Sequence, residues 1–223
     1  MNNQRKVFSR REMFEMSLGI GGLTALGSSA FAQEAKRLIT PEAIVGPFYP
    51  VLKPLDKDAD LTLIAGNKTR ASGKIVHVTG RVLNPNGEPI KGAKIEIWQA
   101  NTHGRYSHPA DTYDAPLDPN FQGYTILTTD ALGRYRFKTI KPGAYPATKT
   151  WTRPPHIHLD VIGKTDRLVT QMYFPDESLN KKDQIFLELG SYKQAAVAKL
   201  LPPTKEIESD EMLLAWDIVL TKG

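Results

Sequence analysis

Residues 156–174 read HIHLDVIGKTDRLVTQMYF and contain two short apolar, β-branched runs separated by a polar turn. Because such residues favour strands, we predict one strand over His156–Ile162 and another over Leu168–Phe174. Four earlier runs share this character and are separated by turn residues: Ile75–Val82, Ala93–Trp98, Tyr124–Thr129 and Arg134–Thr139. Short strands at this spacing indicate an all-β fold of the β-sandwich type.

Turn residues between these runs predict how the strands connect. Residues 84–87 (NPNG) carry an Asn-Gly hairpin signal after the first run. A turn at Asp130–Gly133 separates the third run from the fourth, and Lys141–Gly143 follows. We therefore expect the third and fourth strands to form a hairpin.

The segment from residue 192 onwards combines a helical and an extended signal. Alanines favour a short helix over Tyr192–Leu201, and two prolines at 202 and 203 would end it. Met212–Leu220 (MLLAWDIVL) is apolar along almost its whole length, which predicts a buried final strand.

The first 72 residues divide into an export signal and an extended arm. Residues 16–33 carry no charge and end in a small-x-small pattern at Ala30–Ala32, which is typical of signal-peptide cleavage near Gln33. The Arg10-Arg11 pair ahead of this run resembles the twin-arginine export signal. We therefore interpret residues 1–32 as an export signal and expect a periplasmic or otherwise exported protein. The alternative is an uncleaved membrane anchor. Residues 33–72 contain four prolines and predict an arm that lies over the sandwich domain of residues 73–223.

Composition excludes several kinds of chemistry. The chain has 223 residues, 40% of them hydrophobic, and no cysteine, so it has neither disulfides nor thiolate metal sites. The net charge is +5, and the basic residues do not cluster into the stripe that a nucleic-acid backbone requires. We therefore expect no nucleic-acid partner.

Two histidines and two tyrosines are the candidate chemical groups. His156 and His158 lie two residues apart on a predicted strand, so both side chains share one face and could bind one metal ion. The alternative is a pair of solvent-facing histidines. Tyr106 and Tyr145 lie on loops near strand ends, and each alone is more typical of packing. Taken together, the four residues suit ferric iron, because phenolate oxygen favours a hard, highly charged cation.

Ordered motifs along nearly the whole chain after residue 33 point to one family. They are Gly46–Tyr49, Ile97–Asn101, Gly104–Tyr106, Ala115–Phe121, Ile140–Pro146, Arg153–His158, Thr170–Phe174 and Trp216–Leu220. With these motifs the chain resembles the intradiol ring-cleavage dioxygenases, in particular the iron-bearing β chains of the protocatechuate 3,4-dioxygenases.

The resemblance implies a prealbumin-like β-sandwich with a non-haem ferric ion. The implied metal ligands are Tyr106, Tyr145, His156 and His158. The resemblance further implies that Tyr145 accepts a substrate proton, that the Arg153 cation lies over the substrate ring, and that Gln171 occupies a pocket position. The implied reaction is cleavage of a catechol-type aromatic by dioxygen, which gives a cis,cis-muconate-type dicarboxylate.

One departure from the family pattern concerns the substrate. Protocatechuate-cleaving members carry tryptophan after the Tyr-Pro pair, whereas this chain has Ala147. The pocket is therefore expected to be reshaped, with a protocatechuate-like substrate as one option. The resemblance also implies either a homo-oligomer or an α/β-type partner chain.

Two other functions remain open from the residues alone. Gly80–Val82 and the turn around Gly133 also resemble non-catalytic prealbumin-like binding modules, which lack the Tyr106 insertion and the Arg153–His158 block. A zinc hydrolase could use His156 and His158 with a third histidine, since three histidines leave one zinc position for water. The candidates for that third ligand are His77, His103 and His108.

Overall fold

The computed structural model describes residues 37–205 and 207–222. The predicted export signal lies outside these residues. The strands are β1 (Ile75–Leu83), β2 (Lys94–Trp98), β3 (Tyr124–Thr128), β4 (Arg134–Ile140), β5 (Tyr145–Pro146), β6 (Thr152–Arg153), β7 (His156–Ile162), β8 (Arg167–Tyr173), β9 (Lys199–Leu201), β10 (Met212–Ala215) and β11 (Ile218–Val219). The helices are α1 (Gln184–Glu188) and α2 (Lys193–Ala196), with 3-10 turns at Ser178–Lys182 and Gly190–Tyr192. No helix in this described part is long and apolar enough to cross a membrane.

The strands form two main sheets. In the first sheet, β1 pairs antiparallel with β4 on one edge and parallel with β10 and β11, while β9 extends the sheet beyond β10. The second sheet has the order β3-β2-β7-β8, with every neighbouring pair antiparallel. Strands β5 and β6 form a separate short ribbon. The predicted β-sandwich is therefore confirmed.

The main core consists of alternate residues from both sheets. Val76 and Val78 of β1 pack in the same buried cluster as Ile95, Ile157 and Leu159 of the second sheet. Period-2 alternation explains this arrangement, because every second side chain of a strand points to the same face. Complete burial of each aliphatic side chain contributes about 1.5–3 kcal/mol to folding.

The same alternation places polar and aromatic residues on the outer face of the second sheet. These residues are Glu96, Trp98, Tyr124, His156, His158, Asp160 and Gln171, and all are buried. They are buried because the arm and two loops cover this face, with Phe48 and Tyr49 packed against Trp98, Tyr106 and Tyr145. The candidate site therefore lies outside the main core, beneath a second covering layer.

Two predicted connections differ from the structure. The strands predicted as a hairpin, β3 and β4, lie in different sheets, with β3 paired to β2 and β4 paired to β1. The Asp130–Gly133 turn does form, with the Gly133 amide donating to Asp130 O at 3.0 Å. The turn therefore connects the two sheets, because β3 pairs along its whole length with β2 and β4 pairs along its whole length with β1. The turn at residues 84–87 likewise leads from β1 in one sheet to β2 in the other.

The predicted final strand is divided into β10 and β11. At the break, the Asp217 carboxylate accepts the Arg81 amide at 3.0 Å, in place of a backbone carbonyl. Gly80 lies opposite the break, where any Cβ would clash with the Trp216 carbonyl oxygen. The break is thus specified by a glycine on one strand and an aspartate on the other.

The predicted helix over Tyr192–Leu201 is too long. Only Lys193–Ala196 is α-helical, and Lys199–Leu201 forms strand β9. The Ala198 amide donates to Tyr173 O at 3.0 Å, so sheet pairing overrides the helical propensity of the alanines. The sequence prediction also missed α1, which follows the side-chain cap Asp183.

The described part of the arm lies across both sheets in extended and turn conformations. The Thr40 amide donates to Val219 O at 3.1 Å, and the Ala43 amide donates to Val169 O at 2.8 Å. Leu61 is completely buried in the main core. These contacts bring residues 44–49 over the outer face of the second sheet.

Candidate metal centre

Strand β7 presents His156 and His158 on one buried face. In the ladder, His156 lies opposite Tyr173, and His158 lies between Trp98 and Gln171. The His158 ring stacks on the Trp98 ring with centroids 4.9 Å apart. The two histidine Nε2 atoms are 3.2 Å apart, so both nitrogens face the same point.

Both imidazoles are neutral. Burial lowers the pKa of His156 well below its ordinary value, and the nearby Arg153 charge lowers it further. The same two causes, in that order, lower the pKa of His158 to about 3. His156 Nδ1 lies 2.7 Å from the Pro154 carbonyl oxygen, which can only accept a hydrogen bond. Its Nε2 therefore carries a lone pair that is available to a metal ion.

The two tyrosines approach the histidines from outside the sheet. Tyr106 lies in the loop after β2, where the Asp111 carboxylate accepts its amide at 2.7 Å. Gly104 has φ +78°, and a Cβ there would clash with the Ala144 carbonyl oxygen. This glycine therefore allows the Tyr106 loop to pack directly against the segment that bears Tyr145.

The four rings form one cluster. The distances between ring centroids are 4.8 Å for His156–His158, 5.6 Å for Tyr106–Tyr145, 5.8 Å for Tyr145–His156 and 6.2 Å for Tyr106–His158. The Phe48 ring covers the cluster, with its centroid 4.7 Å from that of Tyr106. Burial raises the pKa of both phenols and outweighs the lowering effect of the Arg153 charge, so both are neutral unless a metal ion binds them.

This donor set fits a hard metal cation. The Tyr106 hydroxyl is buried without a hydrogen-bond partner, and orphaned buried polar atoms are uncommon in folded proteins. A cation among the rings would bind the phenol oxygens as phenolates and compensate their burial. Within the described residues, no three His, Asp or Glu side chains form a possible metal cluster. That observation removes the support for a zinc site built on a third histidine.

Arg153 lies beside the ring cluster in a buried polar network. Its Nε donates to Asp183 Oδ1 at 2.8 Å, and its guanidinium donates to Gln171 Oε1 at 2.6 Å. The Tyr173 hydroxyl also bonds to Asp183, at 3.0 Å. Gln171 donates to the Ile44 carbonyl at 3.0 Å and so connects the network to the arm. Arg153 is consequently held in one orientation.

Sequence reasoning missed Asp183. This residue is completely buried and caps α1 by accepting the Phe186 amide at 3.1 Å. Its signal was an aspartate two residues before the apolar run Ile185–Leu187, a typical start of a helix. Pairing with Arg153 could not be read from the sequence, because the two residues are 30 positions apart.

A cavity of about 470 Å³ opens onto the cluster. Tyr145, Arg153 and His158 line it, and this volume is suitable for a small aromatic molecule. A larger groove of about 940 Å³ is lined by Tyr106, Trp98 and the arm, and contains neither candidate histidine. The smaller cavity is therefore the candidate substrate pocket.

The structure brings six predicted site residues into one region: Tyr106, Tyr145, Arg153, His156, His158 and Gln171. The other histidines have different surroundings. His77 bonds to Glu211 at 2.7 Å, His103 is exposed, and His108 Nδ1 accepts the Ala110 amide. The individual catalytic roles of the six residues remain predictions.

Comparison with known proteins gives a consistent result. A family profile described as Dioxygenase matches residues 44–222. The protocatechuate 3,4-dioxygenase β chain of Burkholderia cepacia is 51% identical over 140 residues, covering 60% of this chain and 58% of its own. The protocatechuate 3,4-dioxygenase α chain of Pseudomonas putida is 29% identical over 153 residues, covering 62% of this chain and 71% of its own. The catechol 1,2-dioxygenase of Candida albicans is 29% identical over 192 residues, covering 80% of this chain and 61% of its own.

Solved structures share the fold. The 3-chlorocatechol 1,2-dioxygenase of Rhodococcus opacus superposes with a TM-score of 0.64 at 22% identity, covering 82% of this chain and 73% of its own. The chain spans 50–61% of the length of the first three curated relatives that it matches.

Proposed function

The chain belongs to the family of intradiol ring-cleavage dioxygenases, and from this we propose that it opens a catechol-type aromatic ring between its two hydroxyl-bearing carbons. Both atoms of dioxygen enter the product, a cis,cis-muconate-type dicarboxylate. The observation that carries the proposal is the convergence of two neutral histidines and two buried tyrosines beside a small cavity. The proposed substrates are a catechol, with a protocatechuate-like compound among the candidates, and dioxygen.

We assign the proposed cofactor, a non-haem ferric ion, to Tyr106, Tyr145, His156 and His158. When bound, this ion supplies Lewis-acid chemistry, which draws electron density from the catechol oxygens. Two phenolates and one hydroxide would balance the three positive charges of a ferric ion, so the buried site would carry no uncompensated charge.

The two tyrosines have different proposed tasks because their surroundings differ. Tyr145 lines the cavity, so as a phenolate it could accept one of the two protons that a catechol loses on binding, and the hydroxide would take the other. Tyr106 lies beneath Phe48 and does not line this cavity, so it is the proposed permanent ligand. This difference in access separates a proton acceptor from a permanent ligand.

Arg153 holds positive charge at the wall of the same cavity. Its guanidinium is fixed by Asp183 and Gln171, so it needs no reorganisation when negative charge develops on the ring. Gln171 acts through Arg153, since it bonds to the guanidinium and to the arm.

Assembly and location form part of the same proposal. Similarity to both chain types of protocatechuate 3,4-dioxygenase supports a homo-oligomer or an α/β-type partner chain.

The twin-arginine-like segment at Arg10 and Arg11 supports export. Replacing both arginines by lysine is expected to retain the protein in the cytoplasm, as measured by cell fractionation. Normal export of that variant would contradict the twin-arginine route.

The decisive experiment combines a spectrum with a product assay. Protein starting at Gln33 is expressed with iron, and its visible spectrum is recorded before and after anaerobic addition of catechol. We expect a broad tyrosinate-to-iron band that shifts with catechol, followed by oxygen uptake and formation of a muconate-type product once air is admitted. A protein that takes up no iron after reconstitution, or that leaves catechol intact, would contradict the proposal.

A further inference from the structure

The substrate cavity offers no free positive charge. Among the described residues that line it, Arg153 is the only Lys or Arg. Its charge is already paired, because Nε donates to Asp183 Oδ1 at 2.8 Å and both side chains are almost completely buried. A carboxylate on the substrate ring would therefore have to compete with the Asp183 carboxylate for the Arg153 charge.

A further carboxylate lies at the cavity itself. Asp111 lines the wall, and it is held there by accepting the Tyr106 amide at 2.7 Å and the Tyr113 amide at 2.9 Å. The nearest cation to this carboxylate is Arg105, whose Nε is 3.9 Å away and which lines the larger groove instead. Arg153 is thus paired with Asp183 and Arg105 with Asp111, so the wall offers no uncompensated cation.

The rest of the wall is largely apolar. Ile44, Pro146, Ala147 and Ile185 line it together with the Trp151 ring. Trp151 is fixed in place, since its Nε1 donates to Asp183 at 3.1 Å and the Arg153 guanidinium lies 5.6 Å from its ring centroid. Ala147 is exposed and has a small side chain, so it leaves space at the mouth of the cavity.

We propose that this cavity selects catechols that carry an uncharged, apolar ring substituent over catechols that carry a carboxylate. An apolar group gains by burial against Ile185 and Trp151. A carboxylate would lose its water next to Asp111 without gaining an unpaired cation. The inference rests on the proposed ring cleavage and specifies the substrate class of the same site.

The first test compares two cleavable substrates of similar shape. We expect the iron-loaded protein to show a kcat/KM for 4-methylcatechol at least about tenfold above that for 3,4-dihydroxybenzoate, since a buried unpaired charge costs more than 1.4 kcal/mol. Equal values, or a preference for the carboxylated compound, would overturn the inference.

The second test does not depend on turnover. Titration calorimetry on the same protein compares 4-methylphenol with 4-hydroxybenzoate, which have a single hydroxyl and are not ring-cleavage substrates. Tighter binding of 4-methylphenol supports the inference, whereas binding of neither compound, or tighter binding of 4-hydroxybenzoate, overturns it. Absence of catechol cleavage alongside preferential 4-methylphenol binding would count against the proposed function alone.

A matched pair of variants tests the electrostatic cause. Ala147→Lys places a cation at the exposed mouth of the cavity, and Ala147→Met adds a similar length without charge. We expect only the lysine variant to shift the selectivity towards 3,4-dihydroxybenzoate, by up to about fivefold for a partly exposed ion pair. An equal shift in both variants would overturn the electrostatic explanation.

Discussion

Asp183 shows how one buried side chain can orient a catalytic group without touching substrate. It accepts hydrogen bonds from Arg153 Nε, Trp151 Nε1, the Tyr173 hydroxyl and the Phe186 amide, at 2.8–3.1 Å. Asp183→Asn leaves the Arg153 charge buried without a counter-ion. We expect a loss of about 3–5 kcal/mol in the free energy of unfolding, and a lower kcat with a smaller change in KM.

Denaturant unfolding and steady-state kinetics measure these two effects. Asp130→Asn is the matched control, because Asp130 forms an exposed ion pair with Arg134 at 2.7 Å. Exposed ion pairs contribute little, so this variant should behave like the wild type. A change in Asp183→Asn no larger than that in the control would contradict the positioning role.

Tyr145 offers a second test at the level of one atom. Tyr145→Phe removes the hydroxyl but keeps the ring packed against Phe48 and His156. We expect the variant to retain iron through three ligands but to cleave catechol at least about a hundredfold more slowly, because general acid–base catalysis contributes roughly 10²–10⁴-fold. Iron analysis and oxygen uptake measure both quantities, and unchanged turnover would exclude Tyr145 as the proton acceptor.

The two candidate histidines could be found from sequence because their signal is local, whereas Tyr106 and Tyr145 were identified as ligands through the family resemblance. His156 and His158 share a face through simple alternation, and Arg153–Pro155 provides an extended approach to them. Asp183 could not be found in this way, since its partner depends on how α1 packs against β6 and β8. Sequence thus predicts the groups with distinctive chemistry more readily than the groups that orient them.

At the scale of elements, Glu96 attaches the arm to the second sheet. Its carboxylate accepts hydrogen bonds from the Tyr49 hydroxyl at 2.6 Å, Lys53 at 2.8 Å, Lys94 at 2.7 Å and the Tyr124 hydroxyl at 2.9 Å. The Tyr49 ring packs edge-on against Trp98, which in turn stacks on His158. Glu96 therefore connects the arm to the candidate metal ligands.

This contact predicts a dependence of stability on pH. Burial alone would raise the pKa of Glu96, but the hydrogen bonds from Lys53, Lys94, Tyr49 and Tyr124 outweigh it and lower the pKa to about 2. A lowered pKa stabilises the folded protein above the unfolded value of 4.5, and this contribution is lost as the pH falls towards 2. We expect Glu96→Gln to reduce the free energy of unfolding by about 1–3 kcal/mol at pH 7, and by progressively less below pH 4.5.

Urea unfolding of wild type and Glu96→Gln across this pH range measures the difference. Glu88→Gln is a suitable control, because Glu88 lies in the exposed turn after β1 and bonds to Asn84. A Glu96→Gln deficit that stayed constant with pH would show that the carboxylate charge does not hold the arm.

The longer strands were positioned well by the sequence prediction, but the short strands β5, β6 and β9 were missed and the strand partners were not predicted. The periodic runs at β1, β2, β4 and β7 have boundaries within one residue of those expected. Alternation determines which residues extend and which face they occupy. It does not determine pairing, so the expected hairpin between β3 and β4 became a connection between sheets. The division of the last strand depended on Gly80 and Asp217, which act across the sheet rather than along the chain.

For the whole molecule, metal binding should be coupled to folding, because the four candidate ligands come from segments separated along the chain. Tyr106 lies on a loop, Tyr145 on β5, and the histidines on β7, so the complete site exists only in the folded state. A ligand present at about 1,000 times its Kd stabilises the folded state by about 4 kcal/mol, which corresponds to a rise of about 10 °C in Tm for a domain of this size. We expect ferric iron to produce such a rise and chelation to reverse it.

Tyr106→Phe separates this effect from ordinary packing. The Tyr106 hydroxyl has no hydrogen-bond partner, so removing it should leave the Tm of the metal-free protein unchanged or slightly higher. The rise on adding iron should shrink to less than half of the wild-type value, because one anionic ligand is lost. Tyr192→Phe, on a half-exposed side chain outside the site, should keep the full rise. If Tyr106→Phe gained as much thermal stability from iron as Tyr192→Phe, the ion would have to bind somewhere other than the four-ring cluster.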